Sequence, residues 1–181
     1  MSIEAGLNTD TELCSLKPLS IERLVYLVRH FKDLSISELA LERLHKSHAD
    51  YEQAKESGKA VYGETTGFGP FVKFDSGESP GARHAKHLLA PLGAGYGEDA
   101  PEEVVRAAMI LRIQALIQGN SGIHPPIVQA YLKILTEEYV PSVPITGSVG
   151  ASGDLVPMAS IAGLLVGYGS AYKDGDKLSG E

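Results

Sequence analysis

Two glycine-rich stretches carry the residue types most able to do chemistry. The first is Gly147-Ser148-Val149-Gly150-Ala151-Ser152-Gly153, set directly before Asp154-Leu155 and an apolar run. A glycine-rich turn that opens a helix presents backbone N–H groups to an anion, so a phosphate loop is one reading of this string. It lacks the Gly-Lys-Ser/Thr ending and a preceding buried strand, which leaves that reading weak. A flexible turn capped by Asp154 would account for any one of these residues alone. The second stretch is Tyr62-Gly63-Glu64-Thr65-Thr66-Gly67-Phe68-Gly69. Taken by itself, its Tyr-Gly pair is a loop turn with an anchored ring. His45 and His48 make no convincing metal pair and read as surface or satisfied core histidines, and no metal site is expected.

Read whole, the first string resembles the signature of the histidine, phenylalanine and tyrosine ammonia-lyases and the related 2,3-aminomutases. In that family an Ala-Ser-Gly tripeptide cyclises into 4-methylideneimidazol-5-one. Here the tripeptide is Ala151-Ser152-Gly153, followed by Asp154-Leu155-x-Pro157 of the family pattern. The likeness continues through Ala159-Ser160-Ile161-Ala162 and Gly167-x-Gly169-x-Ala171. The resemblance implies that the Gly153 nitrogen attacks the Ala151 carbonyl, an approach that a side chain at position 153 would obstruct. It also implies that Ser152 loses its hydroxyl as water and that its Cβ becomes an electrophilic methylene carbon. A helix beginning at Asp154 would direct partial positive charge at this group. The group is made by the chain itself, so no external cofactor is implied.

The Tyr62–Gly69 octet, with Gly58-Lys59-Ala60-Val61 before it, is similar to the family's inner loop. The resemblance makes Tyr62 the general base for the substrate β-proton, which requires an ionised phenol. It places Gly69 against the bound substrate. A third stretch, Leu111 to Ile123, looks like the family's helix ending in Gly-x-Ser-Gly-Val/Ile; it departs at Asn120, where His or Tyr is common, and at Gln114, where Asn is common. Ring selectivity in the family is read by two residues that fall here on Pro91 and Leu92. Histidine-type and tyrosine-type lyases usually place a His in that pair. Neither Pro91 nor Leu92 can hydrogen-bond an imidazole or phenol through its side chain, which tilts the expectation to phenylalanine or a similarly apolar ring. The implied reaction eliminates ammonia from an aromatic amino acid to give an arylacrylate. The alternatives are a 2,3-aminomutase using the same group and a catalytically silent, truncated assembly module.

The elements that must hold these residues read as mainly helical, with long irregular loops and at most short strands. Apolar spacing predicts a helix within Leu19–Phe31 behind Ser20. Ser35 and Glu38 fit a capping box before a helix that ends near Ser57-Gly58, with Leu41, Leu44, His48 and Tyr51 on one face. From Gly58 to Gly81 no helical period survives, and only a brief strand at Ala60-Val61-Tyr62 is expected. Helical pattern returns over about Arg83 to Leu92 and breaks at Gly93-Ala94-Gly95-Tyr96-Gly97. Asp99 and Pro101 open a helix through Gln118 with Val104, Val105, Ala108, Leu111, Ala115 and Leu116 on its apolar side and Gly119 past its end. Pro125-Pro126 start a helix to about Glu138. Val140 to Val149 reads as an irregular connection. The last helix begins near Asp154, and its Ala159, Ala162, Gly163 and Gly167 suggest that another backbone packs closely against it. Lys173 to Lys177 resembles a turn, after which the sequence ends without a closing element.

Composition bounds the rest. With 181 residues, 43% hydrophobic and 22% charged, the chain has the material for one globular unit with a buried core. The net charge of -7, without a concentrated basic run, argues against nucleic acid as a partner. The single cysteine, Cys14, excludes an intrachain disulfide. Met1 to Asp10 has no basic segment followed by an apolar one, and Val156 to Gly169 is too short and glycine-rich to span a membrane; a cytoplasmic protein is expected. Because members of the family it resembles are much longer, residues 1–181 are expected to be the amino-terminal portion that bears the prosthetic group. The remainder would supply further substrate-binding residues and the long helices of a homotetramer, whose active sites draw on three subunits.

Overall fold

Ser20 opens the first helix as its spacing predicts. In a computed structural model that describes residues 10–14, 18–62, 66, 70, 73, 89, 91–151 and 153–180, α1 (Ile21–Arg29) follows Ser20, whose hydroxyl accepts the Arg23 backbone N–H at 3.2 Å. That bond serves one of the N–H groups left without a partner at a helix start. Leu27, Val28 and, in the 3-10 turn that follows, Phe31 are buried. The next helix, α2 (Glu38–Glu56), is capped by Ser37 and not by Ser35: the Ser37 hydroxyl accepts the Ala40 N–H at 3.3 Å. Ser35 belongs to the two-residue strand β2 (Ser35–Ile36), which runs parallel to β1 (Glu12–Leu13), and its N–H is committed to the Thr11 carbonyl. The capping box is lost because this strand pairing takes Ser35 first. The helix ends as read, with Ser57 at its C-cap and Gly58 beyond it at φ +74.

The helices α3 (Glu102–Leu116) and α4 (Pro125–Thr136) complete the core. Here the expected face of α3 is corrected. Val105, Met109, Ile110, Ile113 and Leu116 are buried, whereas Val104 and Leu111 are 56% and 48% exposed. The helix is apolar on two sides, so periodicity alone cannot choose between them; packing of α1 and α4 against α3 chooses. The brief strand at Ala60–Tyr62 is absent: Ala60 and Val61 are irregular and Tyr62 lies in a turn. A three-residue strand needs a ladder partner for its backbone groups, and Lys59 N–H is instead drawn back to the Ala54 carbonyl at the end of α2. Most of the helix read over Arg83 to Leu92 lies outside the described residues. Leu89, Pro91 and Leu92 are helical, and Gly93 N–H bonds the Leu89 carbonyl at 2.8 Å.

From position 140 onwards the connection read as irregular is ordered into short strands. β4 (Val140–Pro141) pairs antiparallel with β6 (Ser170–Lys173), and β5 (Pro144–Thr146) pairs antiparallel with β3 (Tyr96–Asp99), setting Tyr96 opposite Thr146 and Asp99 opposite Pro144. α5 (Leu155–Gly163) follows, then a 3-10 turn ending at Gly167 in the left-handed region. The close backbone implied by the small residues belongs to this same chain: a Cβ on Gly163 would lie 2.9 Å from the Tyr168 carbonyl oxygen. The turn at Lys173–Lys177 is closed by a further strand, β7 (Asp176–Ser179), with Asp174 and Gly175 both at positive φ as a tight hairpin requires. Among the described residues no helix is long and apolar enough to cross a membrane.

One carboxylate ties these strands together. Asp99 Oδ2 accepts the Ser142 hydroxyl at 2.6 Å and the Tyr172 hydroxyl at 2.8 Å. Lys177 Nζ stands 3.6 Å from the same oxygen and donates to Ser142 Oγ at 3.0 Å. Burial alone would raise the Asp99 pKa, but the two hydroxyl bonds and the Lys177 charge outweigh it and hold the carboxyl below its usual range. A carboxyl depressed in the folded state stabilises above its unfolded pKa, and the contribution is lost as pH falls through the folded value. Thermal unfolding measured from neutral pH down to roughly pH 3 should therefore show Asp99→Asn less stable than the wild type by roughly 1 kcal/mol at neutral pH. The gap should narrow as the wild-type carboxyl protonates; a gap independent of pH would show that its charge contributes nothing.

Candidate active site

The turn that carries Ala151 and Gly153 is built from backbone conformations that side chains resist. β5 delivers the chain to Gly147 at φ +126, and Gly150 and Gly153 follow at +65 and +110. Three left-handed positions within seven residues explain why this stretch is glycine-rich. A Cβ on Gly147 would lie 3.1 Å from the Gly95 Cα, so here two backbones are also in close approach. At Gly153, apart from its chain neighbours, no described atom lies within 4 Å of where a Cβ would stand, and the positive φ is what favours glycine there. Ala151 and Gly153 are paired by an isolated bridge, while Ser152, between them, lies outside the described residues.

Asp154 does not cap α5 with its side chain. Its Oδ1 accepts the Ser148 hydroxyl at 2.7 Å, and a Cβ on Gly150 would approach the same oxygen at 3.1 Å. The carboxylate thus folds the turn back on itself at a helix start, where negative charge is favoured. Ala151, Gly153 and Asp154 are exposed, and so are the flanking Val149 and Leu155.

Pro91 and Leu92 precede Gly95, which packs against this turn. Leu92 is half-buried and Pro91 exposed on the last helical turn before Gly93. A Cβ on Gly95 would meet Pro144 Cβ at 3.1 Å, Val156 Cγ1 at 3.2 Å and the Thr146 carbonyl at 3.3 Å. Gly95 is therefore the point at which the chain leaving Pro91-Leu92 is pressed against both ends of the turn.

Tyr62 stands elsewhere. Exposed in a turn beyond α2, it lines an open cleft of about 810 Å³ with His48, Tyr51, Arg112, Ser121 and His124. Ala151, Gly153, Pro91 and Leu92 do not line that cleft, and Gly69 lies outside the described residues. The Tyr62 cleft is also lined by Gly122 and Ile123 of the Gly119–Ile123 stretch. Gly122 has φ +65, its N–H donates to Ser47 Oγ at 3.0 Å, and its carbonyl lies 2.9 Å from His48 Nδ1, which donates in that tautomer. His48 is accordingly a satisfied histidine, as its spacing suggested, and it also clamps this loop. Of the two departures from the family pattern, Gln114 donates to the Cys14 carbonyl at 3.1 Å and Asn120 is exposed. Arg112 and His124 were not singled out in the sequence. Arg112 brings a cation to the cleft and the His124 ring stands edge-on to His48 at 4.8 Å, and helical spacing alone shows neither.

A family model described as aromatic amino acid lyase matches residues 19–181. The chain belongs to that family. Among aromatic amino acid lyases, a histidine ammonia-lyase of Caldanaerobacter subterraneus is 37% identical over 163 residues, covering 90% of this chain and 32% of the relative. A histidine ammonia-lyase of Gloeobacter violaceus is 40% identical over 162 residues. Among solved structures, the Pantoea agglomerans phenylalanine aminomutase superposes with a TM-score of 0.86 at 26% identity, covering 94% of this chain and 33% of that one. The chain spans about a third of the length of the curated relatives it matches. The mainly helical lyase fold and the family inferred from the two motifs are thus confirmed.

The clamp on the Gly119–Ile123 wall generates a stability prediction. A Cβ on Gly122 would lie 2.6 Å from Tyr51 Cβ at a φ that L side chains resist. Gly122→Ala should cost roughly 2–4 kcal/mol in denaturant unfolding, the sum of left-handed strain and overpacking. A loss well under 1 kcal/mol would mean that α2 and this loop yield freely.

Proposed function

We propose that this chain is the amino-terminal, prosthetic-group-bearing portion of an ammonia-lyase that eliminates ammonia from an aromatic amino acid. The observation that carries the reading is the turn at the head of α5: positive φ at Gly147, Gly150 and Gly153, with Asp154 holding Ser148. These residues fit a tripeptide that must bend tightly enough for its own backbone to close. The 4-methylideneimidazol-5-one so formed from Ala151, Ser152 and Gly153 would supply an electrophilic carbon that no standard side chain offers.

The remaining roles fall to the chain's own groups. Tyr62 removes the substrate β-proton. The start of α5 directs the positive end of its peptide dipoles at the turn and favours negative charge developing there. Gly69 leaves room against the substrate. Pro91 and Leu92 meet the ring with surfaces that lack a side-chain hydrogen-bond donor or acceptor, which supports phenylalanine or a similarly apolar ring. Histidine ammonia-lyases among the relatives make histidine the competing substrate to test. A homotetramer that completes the site between subunits is carried over from the family resemblance alone. The likeness to a phenylalanine aminomutase favours a second reading, in which the amine is returned to the β-carbon. The two differ in how long the product is held before release.

Intact mass of the full-length protein tests the group itself: cyclisation removes two waters, about 36 Da. Ser152→Ala should abolish both that loss and nearly all turnover; an unmodified wild-type mass would favour a silent assembly module. Tyr62→Phe deletes one hydroxyl and should lower kcat by about 100-fold or more while leaving the mass loss intact. An unchanged kcat would remove Tyr62 from the mechanism. Assays of free ammonium against β-amino acid, with phenylalanine, tyrosine and histidine, separate lyase from mutase and fix the ring.

A further inference from the structure

We propose that Asp99 is a positioning residue for the self-cyclisation of Ala151-Ser152-Gly153, acting through Ser142 on the strand from which that turn departs. The proposal rests on the reading above that this tripeptide cyclises. In that reaction the Gly153 nitrogen bonds to the Ala151 carbonyl carbon, and the carbonyl oxygen leaves as water with the amide hydrogens of Gly153 and Ser152. The Ser152 hydroxyl leaves with its own Cα hydrogen as the second water. The reaction needs no outside reagent, so its rate depends on how often the open peptide reaches an attacking geometry.

Residues 147–153 are suspended between two anchors. The later anchor is α5, where Ala159 and Ile161 are buried and Val156 lies against Gly95. The earlier one is β5, three residues long and exposed at Ile145 and Thr146. So short a strand cannot set its own position. Its start is held by the Ser142-Val143 corner. Ser142 Oγ donates to Asp99 Oδ2, the Ala100 N–H bonds the Val143 carbonyl at 2.8 Å, and Ser142 N–H bonds the Ser170 carbonyl at 2.9 Å. Tyr172 of β6 and Lys177 of β7 converge on the same carboxylate oxygen. One oxygen atom thus joins the end of β3, the corner before β5 and the β6–β7 hairpin. Asp99 touches neither Ala151 nor Gly153, so its influence on the turn is geometric. A displacement of about 1 Å at reacting atoms costs on the order of 100-fold in rate, which makes a latch four residues upstream of Thr146 consequential.

The test follows the appearance of the 36 Da loss (about two waters) by intact mass in the full-length protein, sampled at intervals after cell-free synthesis. Asp99→Ala removes the acceptor for both hydroxyls and should slow the loss about tenfold or more. Asp99→Asn keeps an acceptor oxygen and should recover much of the rate. Tyr172→Phe, which deletes one hydroxyl, should slow it less than Asp99→Ala and keeps the proposal testable if the alanine variant fails to fold. Val28→Ala, in the core of α1, serves as a control of lowered unfolding midpoint that should cyclise at the wild-type rate. Wild-type kinetics in Asp99→Ala and in Tyr172→Phe, or equal slowing in Val28→Ala, would overturn the positioning role while leaving the cyclisation reading intact. A wild-type protein that never loses the two waters would overturn both.

Discussion

The arrangement depends on one constraint: a short, exposed turn must hold left-handed backbone at three of its seven positions and still begin and end at fixed points. Backbone of this kind is not stable by itself, because glycine has many other conformations open to it. What confines it is the pressing of Gly95 against Pro144, Thr146 and Val156, so that both ends of the turn share one support. The Ser148–Asp154 bond then draws the turn back toward the start of α5. Local glycine content permits the shape, and packing at a distance selects it.

That division of labour recurs in the Tyr62 cleft. The Ser121–Ile123 part of the cleft is pinned to α2 through Ser47, His48 and Tyr51. The cleft is thus built on a helix, while the tripeptide turn departs from a thin β ribbon. Each half is positioned by its own scaffold. Among the described residues, none of the turn lines the Tyr62 cleft.

Polar ties do in the short strands what apolar burial does in the helical core. Leu27, Leu44, Met109, Ile110, Ile113 and Val128 close the helical core. The ribbons beyond residue 140 have few large side chains to bury, and Asp99 with its two hydroxyl partners and Lys177 takes over their cohesion. Such a network is strongest while its acceptor stays ionised, as the lowered pKa of Asp99 reflects.

Family membership was legible in the order of residues: Ala151-Ser152-Gly153-Asp154 and the Tyr62 octet match the family's motifs without any coordinates, and the family model matches residues 19–181. Helix existence was equally legible, since caps such as Ser20 and breaks such as Gly58 and Gly119 act within one turn of backbone. The tertiary structure alone decided the rest. It chose which apolar face of α3 is buried, because both were apolar and only the neighbouring helices discriminate. It moved the cap of α2 from Ser35 to Ser37 by pairing β2 with β1, and it turned the stretch after Val140 into strands whose partners lie 30 to 50 residues away in the chain. Such pairings leave no local signature, for a strand of two or three residues has no periodicity of its own and exists only once its ladder does.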